Sequence, residues 1–280
     1  MTTIGTFIKR SPVLTYYALV FAISWGLFLI AVGPSAFIGT SEISFAELGP
    51  IAYLGVIAGP FVAGILAAYL VYGREGLRDL KSRLLRWRVS VRWYAVALLT
   101  APLLATATLF ALSLTSPAFL PPIITSADKA SLLLFGIAMG LVVPFFEEMG
   151  WTGFAIPRLR MRYGFVTTGV IVGLLWGAWH YPLFAGAAPS AAAAGISPVL
   201  YLAVLLFSWL PPYRVLMVWV YDHTKSLLVA MLMHVPIVVD SFVLNPTTGP
   251  KVILTFDLVF AAALWAVVAA VALANRRQPS

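Results

Sequence analysis

What most limits the folding of this chain is a recurrence of long apolar runs. About eight of them, each near the ~20 residues that a helix needs to cross hydrocarbon, cover approximately residues 13–32, 50–72, 94–114, 131–154, 165–182, 199–221, 226–244 and 252–274. In lipid every backbone N–H and C=O must find a partner inside the protein, so only helices and closed barrels span. Runs of this length specify helices. The expectation is an all-α, polytopic membrane bundle of about eight transmembrane helices, forming one integral-membrane domain over residues 1–280. Composition agrees, with 61% of residues hydrophobic and 10% charged, where a soluble domain carries about 25% charged residues.

The net charge of +8 does not point to nucleic acid, because the bases sit in short segments between apolar runs, as cytoplasmic loops do. Threading the chain from inside to outside puts Lys9, Arg10, residues 74–92, residues 158–162, Lys225, Arg276 and Arg277 on one side. The segments 115–130 and 245–251 fall on the other, each with a single lysine. Both termini are then cytoplasmic. The first run is longer than the core of a secretion signal and lacks a small-x-small cleavage site, so it is read as an uncleaved helix. Between Gly73 and Trp93, seven basic residues from Arg74 to Arg92 interleave with Leu77, Leu80, Leu84, Leu85 and Trp87. That pattern predicts a basic amphipathic interfacial helix, with anionic lipids as the partner of residues 74–92. In the second run Gly55, Gly59, Ala63 and Ala67 form a small-residue stripe suited to packing inside the bundle. Arg214 is out of place in the sixth run and is expected to face the interior or to follow a break at Pro211-Pro212.

The fourth run carries Glu147 and Glu148 side by side. An ionisable side chain at the centre of a spanning helix costs roughly 2.5–3.5 kcal/mol on insertion scales and faces a bundle interior or cavity. The chain stays apolar through Trp151 and Phe154, and the next basic residue is Arg158, so the pair lies inside the apolar zone. His180 and His234 also lie in spanning runs, whereas His223 lies in a loop. Pro144, Pro182 and Pro236 stand close to these residues; proline removes a backbone donor, and such breaks are tolerated where protein or a water-filled cavity satisfies the freed groups. The economical inference is one wet cavity lined by Glu147, Glu148, His180 and His234. A glutamate there can act as general base, one neutral histidine can orient a water, and another can donate to a developing oxyanion. Hydrolysis is the implied reaction. The chain has no cysteine, which removes thiol nucleophiles and disulfides. The same residue types also build proton relays, so a proton-coupled transporter is a competing reading. No cofactor is expected; zinc held by two histidines and a carboxylate is the alternative, without the His-Glu-x-x-His spacing of a typical zinc protease.

Three stretches resemble the motifs of the CPBP family of CAAX prenyl endopeptidases and bacteriocin-processing or immunity (Abi) intramembrane proteases. They are Glu147-Glu148-x-Gly-Trp-x-Gly-Phe, Leu175-Trp-Gly-x-Trp-His180-x-Pro and Ser226-Leu-Leu-x-Ala-x-Leu-x-His234. The basic segment from Gly73 to Tyr94 also looks like that of the family's bacterial members, and a bacterial cell membrane is the expected location. The resemblance implies an intramembrane endopeptidase with its catalytic core at about 131–240, acting on a membrane-bound peptide or protein. Glu147 would activate water, with Glu148 beside it, His180 holding the water and His234 donating to the oxyanion. Two positions depart from the pattern. Thr152 stands where the family often has Arg, and Val238 stands where it commonly has Asn or Asp. An Asn at 238 would share a helix face with His234 and supply a second oxyanion donor; losing one donor costs on the order of 10²–10³ in rate. These departures keep open a non-catalytic member that binds a membrane protein or peptide. Along ideal helices Glu147 lies about 12 Å from the basic end of its run and His180 about 22 Å from its own, a mismatch that the fold has to close.

Overall fold

The computed structural model describes residues 3–40 and 49–276. Among these there is no strand. The longer helices are α1 (Pro12–Val32), α2 (Gly49–Leu84), α3 (Val91–Ser113), α4 (Lys129–Gly150), α5 (Phe165–Trp179), α6 (Pro198–Phe207), α7 (Leu210–Thr224), α8 (Leu227–Val243) and α9 (Pro250–Arg276). The protein is an all-α polytopic membrane bundle. Of the eight expected runs, six among the described residues are long and apolar enough to cross a membrane. A seventh counts if α5 and the helical stretch Tyr181–Ala193, bent by 50°, make one span. The remaining run is α8, which at 17 residues falls short of the ~20 that hydrocarbon requires.

Two local readings are corrected. First, the basic amphipathic helix is shorter than 74–92. Two helices meet at Gly73, whose φ of 62° and ψ of −146° lie where L side chains rarely go, so glycine is what permits the break. The basic helix ends at Leu84, and Arg92 and Trp93 already belong to α3. Its apolar face packs on protein, since Leu80 is buried with Met149, Leu227 and Met231. Arg83 follows it inward and is itself buried, donating to Gly153 O at 2.8 Å and Tyr221 Oη at 3.0 Å and pairing with Asp79. Second, Pro211 and Pro212 do not interrupt a helix. The break falls at Ser208-Trp209, and the prolines open α7, where a missing N–H leaves no bond unmade. Between α5 and α6 the chain also forms a 3₁₀ turn, Ala185–Ala187, and a short helix, Ala188–Ala193.

Glycines set the helix spacing that the site depends on. The small-residue stripe of α2 does pack inside the bundle: Gly55 faces Leu27 and Gly59 faces Ser24 of α1, and Ala63 and Ala67 are fully buried. Gly64 of α2 meets Gly150 of α4 so closely that a Cβ on Gly64 would stand 2.7 Å from the Gly150 Cα. On α5, Gly169, Gly173 and Gly177 sit on Val215 and Pro211 of α7 and on Leu206 of α6. Backbones that approach this closely gain packing that larger side chains prevent. The basic segments gather at one end, where Ser226 donates to Arg86 O at 2.6 Å and Arg160 pairs with Asp222 at 2.7 Å. Arg277, assigned to that side from the sequence, lies outside the described residues.

Candidate active site

Helix α4 does not stop at its glutamates. It passes into a π turn, Trp151–Ala155, and a last helical turn, Ile156–Leu159. This extension narrows the mismatch in depth. Glu147 now stands 12 residues before Leu159, about 18 Å at 1.5 Å per residue, against about 22 Å for His180 on α5. Pro144 and Pro236 remain inside continuous helices. The π geometry follows the glutamates instead, as such turns often do at functional sites.

The two carboxylates have different surroundings. Glu147 Oε2 accepts the indole N–H of Trp176 at 2.7 Å and that of Trp151 at 3.2 Å, while Oε1 has no hydrogen-bond partner among the described residues. Glu148 is fully buried and fully engaged. Its Oε1 accepts from Arg214 Nη1 at 2.7 Å and from His234 Nδ1 at 2.8 Å, and its Oε2 accepts from the Thr152 hydroxyl. Arg214 is itself fully buried, with its guanidinium carbon 4.1 Å from the centre of the Trp176 ring. In low dielectric a charge is tolerable only when paired and hydrogen-bonded; Arg214 supplies the charge that Glu148 needs through Nη1, while its own Nε and Nη2 are buried without a hydrogen-bond partner among the described residues.

The histidines are oriented by the same logic. His180 caps α5 at the bend, where its Nδ1 lies 2.8 Å from Trp176 O. The carbonyl requires Nδ1 to carry the hydrogen, which leaves Nε2 as an acceptor. The His234 Nδ1–H points at Glu148, which turns its Nε2 edge away from the ion pair. Trp179, behind His180, is pinned by donating to Ser24 Oγ at 2.8 Å. Glu147, His180 and His234 all line one cavity of about 140 Å³, together with Trp176 and Val238. Glu148 does not line it, and the wall is mainly apolar. Of the four side chains expected to line one cavity, three do so, because Glu148 finds its partners inside the protein. Among the described residues no three His, Cys, Asp or Glu side chains converge as metal ligands.

Sequence reasoning marked Arg214 as out of place without finding its partner, and missed Trp151 and Trp176 as donors. An arginine inside an apolar run is a signal, since it demands a carboxylate. Thr152 has a role of its own as a donor to Glu148, and the guanidinium at that glutamate comes from α7.

Fold and site together define a polytopic membrane protein with a carboxylate–imidazole cluster at a cavity between its helices. Residues 129–239 match the family model described as type II CAAX prenyl endopeptidase Rce1-like, a stretch that contains Glu147, Glu148, His180, Arg214 and His234. Over 124 residues the chain is 27% identical to a protein named CAAX prenyl protease 2 from Methanococcus maripaludis, covering 44% of this chain and 45% of that relative. The chain thus spans a little under half the length of the curated relative it matches. Both matches support assignment to the CPBP family, to which the three motifs point.

Proposed function

We propose that the protein is an intramembrane endopeptidase of the CAAX type that cleaves a membrane-associated peptide or protein with water activated by Glu147. The observation that carries this reading is the convergence of Glu147, His180 and His234 on one apolar cavity. Glu147 Oε1 takes a proton from water while His180 Nε2 accepts the other hydrogen and holds the oxygen in place. The water oxygen attacks the scissile carbonyl carbon. His234, as an imidazolium paired with the Glu148 carboxylate, donates from Nε2 to the oxyanion. On collapse the C–N bond breaks and the proton on Glu147 passes to the departing nitrogen, giving a carboxylate and an amine. No covalent intermediate forms. Arg214, Thr152 and the two indoles position the carboxylates and touch no reacting atom. The basic end of the bundle faces the cytoplasm under the positive-inside rule, and the cavity extends from Glu147 and His234 away from that end, toward Met139 and Phe242.

The test is cleavage of a membrane-peptide library by purified protein in detergent, comparing wild type with Glu147→Gln, each with and without a chelator. The amide of this variant keeps an oxygen for both indole donors, so the fold should persist while cleavage falls at least 10²-fold, the low end for losing a general base. Chelator-sensitive cleavage would transfer the water to a zinc ion held by the histidines. One observation favours a second reading, a binding protein without peptidase activity: Val238 puts an apolar wall where a second oxyanion donor would stand. No cleavage by the folded wild type would select it.

A further inference from the structure

At the basic end of the bundle a second cavity, of about 310 Å³, opens between the start of α3 and the ends of α7 and α9. Its lining includes Arg92, Trp93, Trp219, His223 and Asn275. Several of these groups are unspent. Arg92 is exposed and has no carboxylate or hydrogen-bond partner among the described residues; its guanidinium carbon lies 5.3 Å from the Trp93 ring centre. The indole Nε1 of Trp219 is buried with no acceptor. His223 stacks on Trp93, with centroids 4.8 Å apart, and commits Nδ1 to Trp219 O at 2.8 Å, so its Nε2 edge is left over. The carboxylate next in sequence, Asp222, is held by Arg160 at 2.7 Å and Lys225 at 3.3 Å.

We infer that this cavity is a binding site for a phosphate-bearing anion, the headgroup of an anionic phospholipid. A cation and an indole N–H are donors without acceptors, and a phosphodiester offers acceptor oxygens to both, while the His223 ring, whose Nε2 is left as an acceptor, supplies an aromatic wall. Trp93 opens α3 and Trp219 lies in the last turns of α7, at the basic end of the bundle, and tryptophans are enriched where spans meet lipid headgroups. Exposed Arg86 and Arg88 nearby repel the ammonium of a zwitterionic lipid and favour a net negative one. The lipid affinity expected of the whole segment 74–92 is thereby concentrated on Arg92 and on residues of α7 and α9 far away in sequence. This site does not depend on the peptidase reading, and Glu147→Gln should retain lipid as wild type does.

The experiment is native mass spectrometry of the full chain released from detergent, titrated with phosphatidylglycerol, phosphatidylcholine or inorganic phosphate. One phosphatidylglycerol should be retained several-fold more tightly than phosphatidylcholine. Arg92→Ala should weaken it by about tenfold or more, the usual loss for a charge-assisted hydrogen bond. Trp219→Phe keeps the ring and its stacking but loses the N–H, and should weaken retention by a few-fold. Thermal unfolding without lipid reports the fold of each variant, and these two changes do not share a structural role. Equal retention of the two lipids, or retention indifferent to both variants, overturns the proposal. Inorganic phosphate displacing the lipid at comparable concentration would also overturn the lipid assignment, in favour of a soluble phosphate ester.

Discussion

Arg214 Nη1 lies 2.7 Å from Glu148 Oε1, and both side chains are fully buried. This contact separates two adjacent glutamates that look equivalent in sequence. Glu148 is neutralised and held by three donors, while Glu147, with only two indoles on one oxygen, is left at the cavity. A tandem carboxylate at this depth thus resolves into one residue that organises the site and one that is free to react.

The pair has a testable energetic signature. Removing one member of a buried ion pair leaves an uncompensated charge and costs about 3–5 kcal/mol, whereas replacing both is often close to neutral. Arg214→Leu should lower unfolding stability in detergent by that amount. Adding Glu148→Gln, whose amide oxygen can still accept from His234 while its NH2 donates to the Thr152 hydroxyl oxygen, should recover most of it. A double variant no more stable than Arg214→Leu would show that the two charges are not coupled.

Val238 lines the cavity one turn beyond His234. An amide at that position would face the same space as the histidine and offer a second donor to an oxyanion. Val238→Asn should therefore raise kcat by about tenfold or more, since one such donor is worth roughly 10²–10³. It should also cost about 1–3 kcal/mol of stability for an unsatisfied polar group in the resting state. Unchanged cleavage, measured by peptide mass spectrometry, would count against an oxyanion at this point.

How much of this was legible in the sequence varies with the kind of signal. The apolar runs were, because the length of a spanning segment is set by the bilayer and not by its neighbours. Glu147, His180 and His234 were, because ionisable residues in apolar runs are rare enough to select themselves. The partner of Arg214 was not: it lies 66 residues away, and no local pattern says which carboxylate a buried arginine will meet. What the apolar face of residues 74–84 packs on was not legible for a different reason. Leucines opposite bases fit a lipid surface and a protein surface equally well, and only the buried cluster around Leu80 shows which was used. The π turn after Glu148 left no periodic trace either, although it sets the depth of Glu147 against His180.

Trp176 ties the site together, donating to Glu147 while its ring faces the Arg214 guanidinium. Trp176→Phe keeps an aromatic ring and removes only the N–H. Losing a hydrogen bond to a charged acceptor costs about 1.5–3 kcal/mol, and kcat should fall by about tenfold or more as the carboxylate loses its orientation. Because the residue acts through Glu147, KM should stay near wild type. A change confined to KM would instead place Trp176 against the substrate.

Glycine spacing on α5 predicts an effect at a distance. A Cβ on Gly173 would collide with the Pro211 Cα and stand 3.1 Å from its nitrogen, and backbone atoms of a proline cannot rotate aside. Gly173→Ala should therefore push α5 from α7 and cost about 1–3 kcal/mol, as overpacking does. Trp176 and His180 ride on α5 and Arg214 on α7, so cleavage should fall although none of these side chains is altered. Gly26, in α1, makes the control, because a Cβ there meets nothing within 4 Å. Gly26→Ala should be neutral or stabilising by roughly 0.5–1 kcal/mol from helix propensity alone. If unfolding and cleavage assays show the two variants behaving alike, close contact between α5 and α7 is not what holds the site in register.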